Sequence, residues 1–293
     1  MGVGYPEAMP RSARLALIGA AAGVALLFVT WYAAFHIGVI QRADQSMLRG
    51  FAGLHRPRVD RITRFIANLC DPQPYIYFAA IPVLVALARR RPRVAATVAM
   101  IMLGANVTTQ LLKPLLAAPR PTALLEFPVV AAASWPSGHA TAVMSLALCS
   151  VIVAPPRLRP FVAALGAAFA VAVCYSFLEL GWHYPSDVFG GFLVAATWTL
   201  VGVAVLFTAQ ARQRRRSRAP SREPPSPVSI REALRPPAAV VLGGVTFAGL
   251  IVLARPHAVA AYARTHEAFM LGATAIAALG LALATGVMLA LRR

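Results

Sequence analysis

The sequence predicts an all-α polytopic membrane helical bundle, and three observations carry the prediction. Of 293 residues, 59% are hydrophobic and 13% are charged, with a mean hydropathy of +0.67. The apolar residues gather in repeated runs of roughly 20 residues, the length a helix needs to cross a bilayer. The charges gather in short arginine clusters between those runs. Length alone would permit two soluble domains, but this distribution fits one membrane bundle with small extramembrane pieces.

Taken in order, residues 13–39 follow Arg11 and Arg14 as one long apolar run. The run exceeds the h-region of a signal peptide, roughly 7–15 residues, so it reads as an uncleaved first span. In residues 41–71, Arg42, Arg49, Arg56, Arg58, Arg61 and Arg64 interleave with Met47, Leu48, Phe51, Leu54, Val59, Ile62 and Phe65. That mixture predicts amphipathic helices lying in the membrane interface, with a solvated loop as the plainer alternative. Further spans are predicted at 74–88, 94–116, 138–154, 161–180 and 186–208. Residues 209–236 form an Arg/Pro/Ser-rich linker too polar to pack, and two last spans follow at 237–254 and 268–291. The chain thus divides into 1–208, the linker 209–236, and a two-helix extension 237–293.

The net charge is +18, and the arginines flank spans, which reads as topogenic charge. With both termini cytoplasmic, the clusters at 89–93, 155–160 and 209–236 and the C-terminal arginines fall inside, while 41–71 is an exception that lands outside. Eight spans in an inner (plasma) membrane are expected. No nucleic-acid motif accompanies the charge, so membrane lipids, and not nucleic acid, are the expected partners. Cys70, Cys149 and Cys174 have neither metal-ligand nor redox spacing.

Three segments carry chemistry, and the topology puts them on one outer face. Lys113, the lone lysine, and Arg120-Pro121 flank a short loop beyond a helix end. Two fixed cations there can grip a phosphate, although snorkelling basic residues at a helix end are common. Pro136-Ser137-Gly138-His139 opens an apolar helix. Ser137 suits an N-cap, Gly138 lets a ligand approach the backbone, and the first-turn N–H groups favour an oxyanion. His139 is then placed to pass a proton to a leaving oxygen; a capped helix with an interfacial histidine is the bland alternative. Ser176 precedes His183 and Asp187, where a carboxylate can hold one imidazole nitrogen and free the other as nucleophile or base. Dipole complementation by Asp187 is the alternative there. The adjoining cations disfavour a metal site, and no cofactor is expected.

Together, Lys113-x6-Arg120-Pro121, Pro136-Ser137-Gly138-His139 and Ser176…His183-x3-Asp187 resemble the signature of the type 2 phosphatidic acid phosphatase family, which shares its anion pocket with the vanadium haloperoxidases. The matched core covers about residues 40–208. The resemblance implies a six-helix core, here extended by two C-terminal helices, that hydrolyses lipid phosphates without metal. It further implies that His183 attacks phosphorus to form a phosphohistidine, that Asp187 orients it, and that His139 protonates the leaving alkoxide. Lys113, Arg120, Ser137 and the Gly138 N–H would hold the phosphoryl oxygens, with Pro121, Pro136 and Ser176 in support. Phosphatidate, phosphatidylglycerol phosphate and polyprenyl (di)phosphates are the implied substrates.

One position departs from the signature. The family places arginine directly after the serine, where this chain has Phe177, with Glu179 two residues on. One lost charge-assisted contact is worth on the order of 1.5–3 kcal/mol of anion binding. A replacement cation could come from Arg255, Arg264 or the interfacial arginines, and Glu179 could pair with one of the latter. Retained catalysis is the expectation; transfer to an acceptor other than water, or lipid binding with weakened turnover, are the alternatives.

Overall fold

Apolar runs punctuated by proline and arginine give helices throughout a computed structural model that describes residues 9–120, 130–216 and 229–292. In chain order the elements are α1 Arg11–His36, α2 Gly38–Ala52, α3 Asp60–Asn68, α4 Pro72–Ala88, α5 Pro92–Leu115, α6 Gly138–Val153, α7 Arg159–Glu179, α8 Pro185–Arg216, α9 Ile230–Ala254, α10 Pro256–Thr265 and α11 Glu267–Ala290. Proline stands in the first turn of α4, α5, α7 and α10, where its missing N–H has no intrahelical partner to lose. Among the described residues, six helices are long and apolar enough to cross a bilayer: α1, α5, α7, α8, α9 and α11. The apolar α4 and α6 are shorter. The all-helical membrane architecture agrees with the sequence.

The short helix α6 is the axis of the bundle. It packs against α5, α7 and α8, and Val143, Met144, Leu148 and Cys149 are fully buried. Its 16 residues span about 24 Å, less than the roughly 30 Å hydrocarbon core. Helix α1 lies along α8, and α11 seals α7 and α2, with the Tyr175 hydroxyl donating to Ala273 O at 2.5 Å. Helix α9 presents Leu242, Val245, Phe247 and Leu253 outward, as a lipid-facing helix does.

Three boundaries differ from the sequence reading. The segment 41–71 splits, and α2 is no free interfacial helix: Asp44, Gln45, Leu48 and Phe51 are buried against the bundle, whereas α3 exposes Ile62 and Phe65 as an interfacial helix would. The linker is shorter at both ends. Helix α8 runs on to Arg216, and α9 starts at Ile230 with a capping box between Ser229 and Glu232, which local capping makes favourable despite the polar composition. Residues 217–228 lie outside the described residues. Finally, Pro256 starts the extra short helix α10 where an outer loop was expected.

Candidate active site

Four helix ends meet at one end of the bundle: the last turn of α5 and the first turn of α6, then the last turn of α7 and the first turn of α8. Local sequence explains each end. Ser137 caps α6, its hydroxyl accepting from the Ala140 N–H at 3.3 Å, so its own proton is left to donate. Gly138 opens the helix, and its N–H has no intrahelical acceptor. Helix α7 ends in a Schellman turn: Trp182 N–H donates to Phe177 O and Gly181 N–H to Leu178 O, both at 3.0 Å. Gly181 supplies the left-handed φ of 71° that this turn requires. The turn delivers His183 directly before α8.

Asp187 does three jobs at the start of α8. Its Oδ2 accepts from His183 Nδ1 at 3.1 Å and from the Tyr184 backbone N–H at 3.0 Å, the second being a reach-back cap. Its Oδ1 accepts from Arg120 Nη2 at 2.7 Å. With Asp187 fully buried and His183 nearly so, the carboxylate fixes the ring with a proton on Nδ1, so that Nε2 is the nitrogen available to a ligand. The Asp187 carbonyl also accepts from the Ser137 N–H at 2.9 Å, which ties α8 to α6. Gly191 permits this approach, since a methyl there would stand 2.7 Å from Ser137 O.

His139 and His183 share the space above these ends, with ring centroids 6.2 Å apart. Phe177, fully buried, fills the angle between them at 5.8 Å from His139 and 5.2 Å from His183. Trp182 lies 5.8 Å from His139 on another side. Lys113 completes the set: a methyl placed on Gly138 would stand 3.7 Å from its Nζ and 3.6 Å from Gln110 Nε2. The ammonium therefore borders the N-terminus of α6, where helix dipole and free N–H groups already favour an anion.

Arg120 is held at the head of α8 by four protein partners. Its Nη1 donates to Ser186 Oγ at 3.0 Å and to Asp44 Oδ2 at 3.3 Å, and its Nη2 to Ser134 Oγ at 2.7 Å and to Asp187. The guanidinium also stacks on Tyr184 at 3.9 Å and Phe35 at 4.8 Å. Both terminal nitrogens are thus engaged by protein groups, and the arginine braces the His183 carboxylate from behind. Asp44, from α2, accepts in turn from the Ser186 N–H at 2.9 Å and hydroxyl at 2.6 Å. Burial pushes its carboxyl up to about 6, outweighing the attraction of Arg120.

Other expected residues fall elsewhere. Ser176 donates to Ala172 O within its own helix, and Pro136 packs on Gly190. Pro121 lies outside the described residues. Glu179 faces Thr63 Oγ1 at 3.3 Å and His55 Nδ1 at 3.6 Å, not an arginine. Arg264 donates to Ala260 O of its own helix, and Arg255 is exposed; neither contacts a site residue among those described. The sequence reading missed Asp44, Asp71, Ser134 and Ser186. Asp71, at the start of α4, lies with Oδ1 2.9 Å from His139 Nε2. The available signal was the three aspartates, Asp44, Asp60 and Asp71, standing among the arginines of 41–71.

Residues 94–215, which span most of α5 to α8, match the model of the PAP2 superfamily. The fold resembles the crystal structure of a transmembrane PAP2 type phosphatidylglycerolphosphate phosphatase from Bacillus subtilis. The TM-score is 0.54 at 18% identity, over 68% of this chain and 99% of that one. No curated protein matches the sequence. The chain is a helical membrane protein whose fold resembles that of a membrane PAP2 type phosphatase.

Proposed function

From a PAP2 superfamily domain over residues 94–215, we propose that the protein is a membrane phosphohydrolase of lipid phosphates working through a phosphohistidine. One observation carries the reading: two imidazoles share one recess, and one of them is anchored through Nδ1 by a buried carboxylate. His183 Nε2 attacks phosphorus, His139 protonates the departing lipid oxygen, and water then releases phosphate. Lys113, the Ser137 hydroxyl and the Gly138 N–H meet the charge that develops on the phosphoryl oxygens. Candidate substrates are phosphatidate, phosphatidylglycerol phosphate and polyprenyl (di)phosphates. The arginine clusters support an outward-facing site with both termini in the cytoplasm.

Attack by an imidazole needs no metal, so purified protein in detergent is expected to release phosphate from such lipids in the presence of a chelator. A His183→Ala variant matching the wild type across a lipid-phosphate panel would falsify the reading. Phe177 favours a second reading, lipid-phosphate binding with little turnover, because a buried ring stands where the family has a cation. A large gain of turnover in Phe177→Arg supports that reading; an unchanged rate supports hydrolysis by the present set.

A further inference from the structure

Asp71 is the N-cap residue of α4, a position whose carboxylate ordinarily accepts from the first-turn backbone. It makes no such bond. Its Oδ1 lies against His139 Nε2 at 2.9 Å, with the side chain 41% exposed and that of His139 20% exposed. A carboxylate at the rim of an anion recess repels the anion unless a positive charge offsets it. The imidazole it touches can be that charge. With Nε2–H given to Asp71, His139 has Nδ1 left, and Nδ1 makes no hydrogen bond among the described residues. That nitrogen carries a proton only when the ring is an imidazolium.

We propose that Asp71 is a positioning residue that favours the imidazolium of His139 against the cost of its burial, with Nδ1–H turned to the phosphoryl group. His139 then serves both as the leaving-group acid and as the cation that Phe177 does not provide. The inference rests on the phosphohydrolase reading and assigns a new partner to its acid. In the first step the His183 Nε2 lone pair forms the N–P bond. The P–O bond to the lipid breaks with its electron pair on oxygen, and that oxygen takes the Nδ1 proton of His139. The ring is left neutral, its Nε2–H still on Asp71. In the second step water attacks phosphorus and yields a proton to His139 Nδ1. The N–P electron pair returns to His183, and phosphate departs.

The charged or titratable groups facing His139 are Asp71 at the start of α4, Lys113 from α5 and His183 before α8. Asp71 alone among them favours the imidazolium; burial opposes it most, and so do the Lys113 charge and any charge on His183. Removing the carboxylate therefore has one sign, a shift of His139 toward the neutral ring at lower pH.

Carbethoxylation by diethyl pyrocarbonate, which modifies neutral imidazole, reads this directly when the His139 peptide is followed by mass spectrometry across pH in the full-length protein. In Asp71→Asn the midpoint for His139 is expected to fall by roughly one unit or more, while that of the His183 peptide stays within a few tenths. The alkaline limb of kcat/KM should move acidward by the same amount, and Asp71→Glu should restore both. An unmoved His139 midpoint, or a uniform loss of rate at every pH without a shift, overturns the proposal. If the wild type releases no phosphate from any lipid, the phosphohydrolase reading fails, and the carbethoxylation profile still decides whether Asp71 sets the proton affinity of His139.

Discussion

Arg120 Nη2 stands 2.7 Å from Asp187 Oδ1, with the two side chains 6% and 0% exposed. The arginine of the first motif therefore steadies the acid of the third, which in turn steadies His183. The geometry of the nucleophile therefore depends on this pair.

Arg120→Ala should be severe. It strands two buried carboxylates, Asp44 and Asp187, and removing one partner of a buried ion pair costs about 3–5 kcal/mol. Thermal unfolding in detergent and phosphate release should both collapse. Arg120→Lys keeps the charge but lacks the planar fork for four partners, so intermediate stability with strongly reduced turnover is expected. A lysine variant equal to wild type in both assays would show that the fork is dispensable.

Gly191→Ala tests the contact between α8 and α6. The added carbon would meet Ser137 O at 2.7 Å, Ala140 Cβ at 2.8 Å and Thr141 N at 2.9 Å. Overpacking of this kind costs typically 1–3 kcal/mol and would move Asp187 against Ser137. Gly243→Ala is the matched control in α9, with nothing within 4 Å. There the gain in helix propensity, up to about 1 kcal/mol, should leave activity intact. Equal melting and equal turnover in the two variants would contradict the packing argument.

Asp44 gives stability a pH dependence of defined sign. Its carboxyl sits near 6 in the folded protein against an ordinary 3.8, so the folded state keeps a proton that the unfolded chain has released. This contribution falls as pH rises from about 4 to about 6, by up to about 3 kcal/mol. Relative to Asp44→Asn, the wild type should lose melting temperature across that window and run parallel to it above. Parallel curves throughout would mean that burial does not hold the proton on Asp44.

Phe177 packs beside both imidazoles, its ring 5.8 Å from His139 and 5.2 Å from His183. Phe177→Ala should cost about 3–5 kcal/mol and let the rings drift, lowering turnover along with stability. Phe177→Leu, closer in volume, should recover most of the stability. If the alanine variant melts like wild type, the ring has no packing role.

Much of the bundle was legible because membrane helices announce themselves by long apolar runs, and the expected spans coincide with α1, α4 to α9 and α11 to within a few residues apart from the linker edges. The site was legible where residues carry local grammar. Ser137 as a cap, Gly138 at the helix start, and Asp187 one turn after His183 all follow from i to i+3 or i+4 relations. Asp44 and Asp71 obey no such grammar. They touch Ser186 across 142 positions and His139 across 68, and the arginines around them suggested a membrane surface instead. Arg120 was found but its partners were not, because a guanidinium beside a phosphate recess reads the same whether it faces the ligand or the carboxylate behind it.

Asp44 also bears on how this protein can be re-engineered. The recognisable signature lies within residues 94–215, yet the buckle joining Arg120 to the head of α8 comes from α2. Transplanting the signature alone into a relative would deliver reactive side chains without their scaffold. An exchangeable block that keeps this scaffold also includes α1, whose Phe35 stacks on Arg120, and runs from Arg11 to Arg216; domain-swap libraries should place their crossover points outside it.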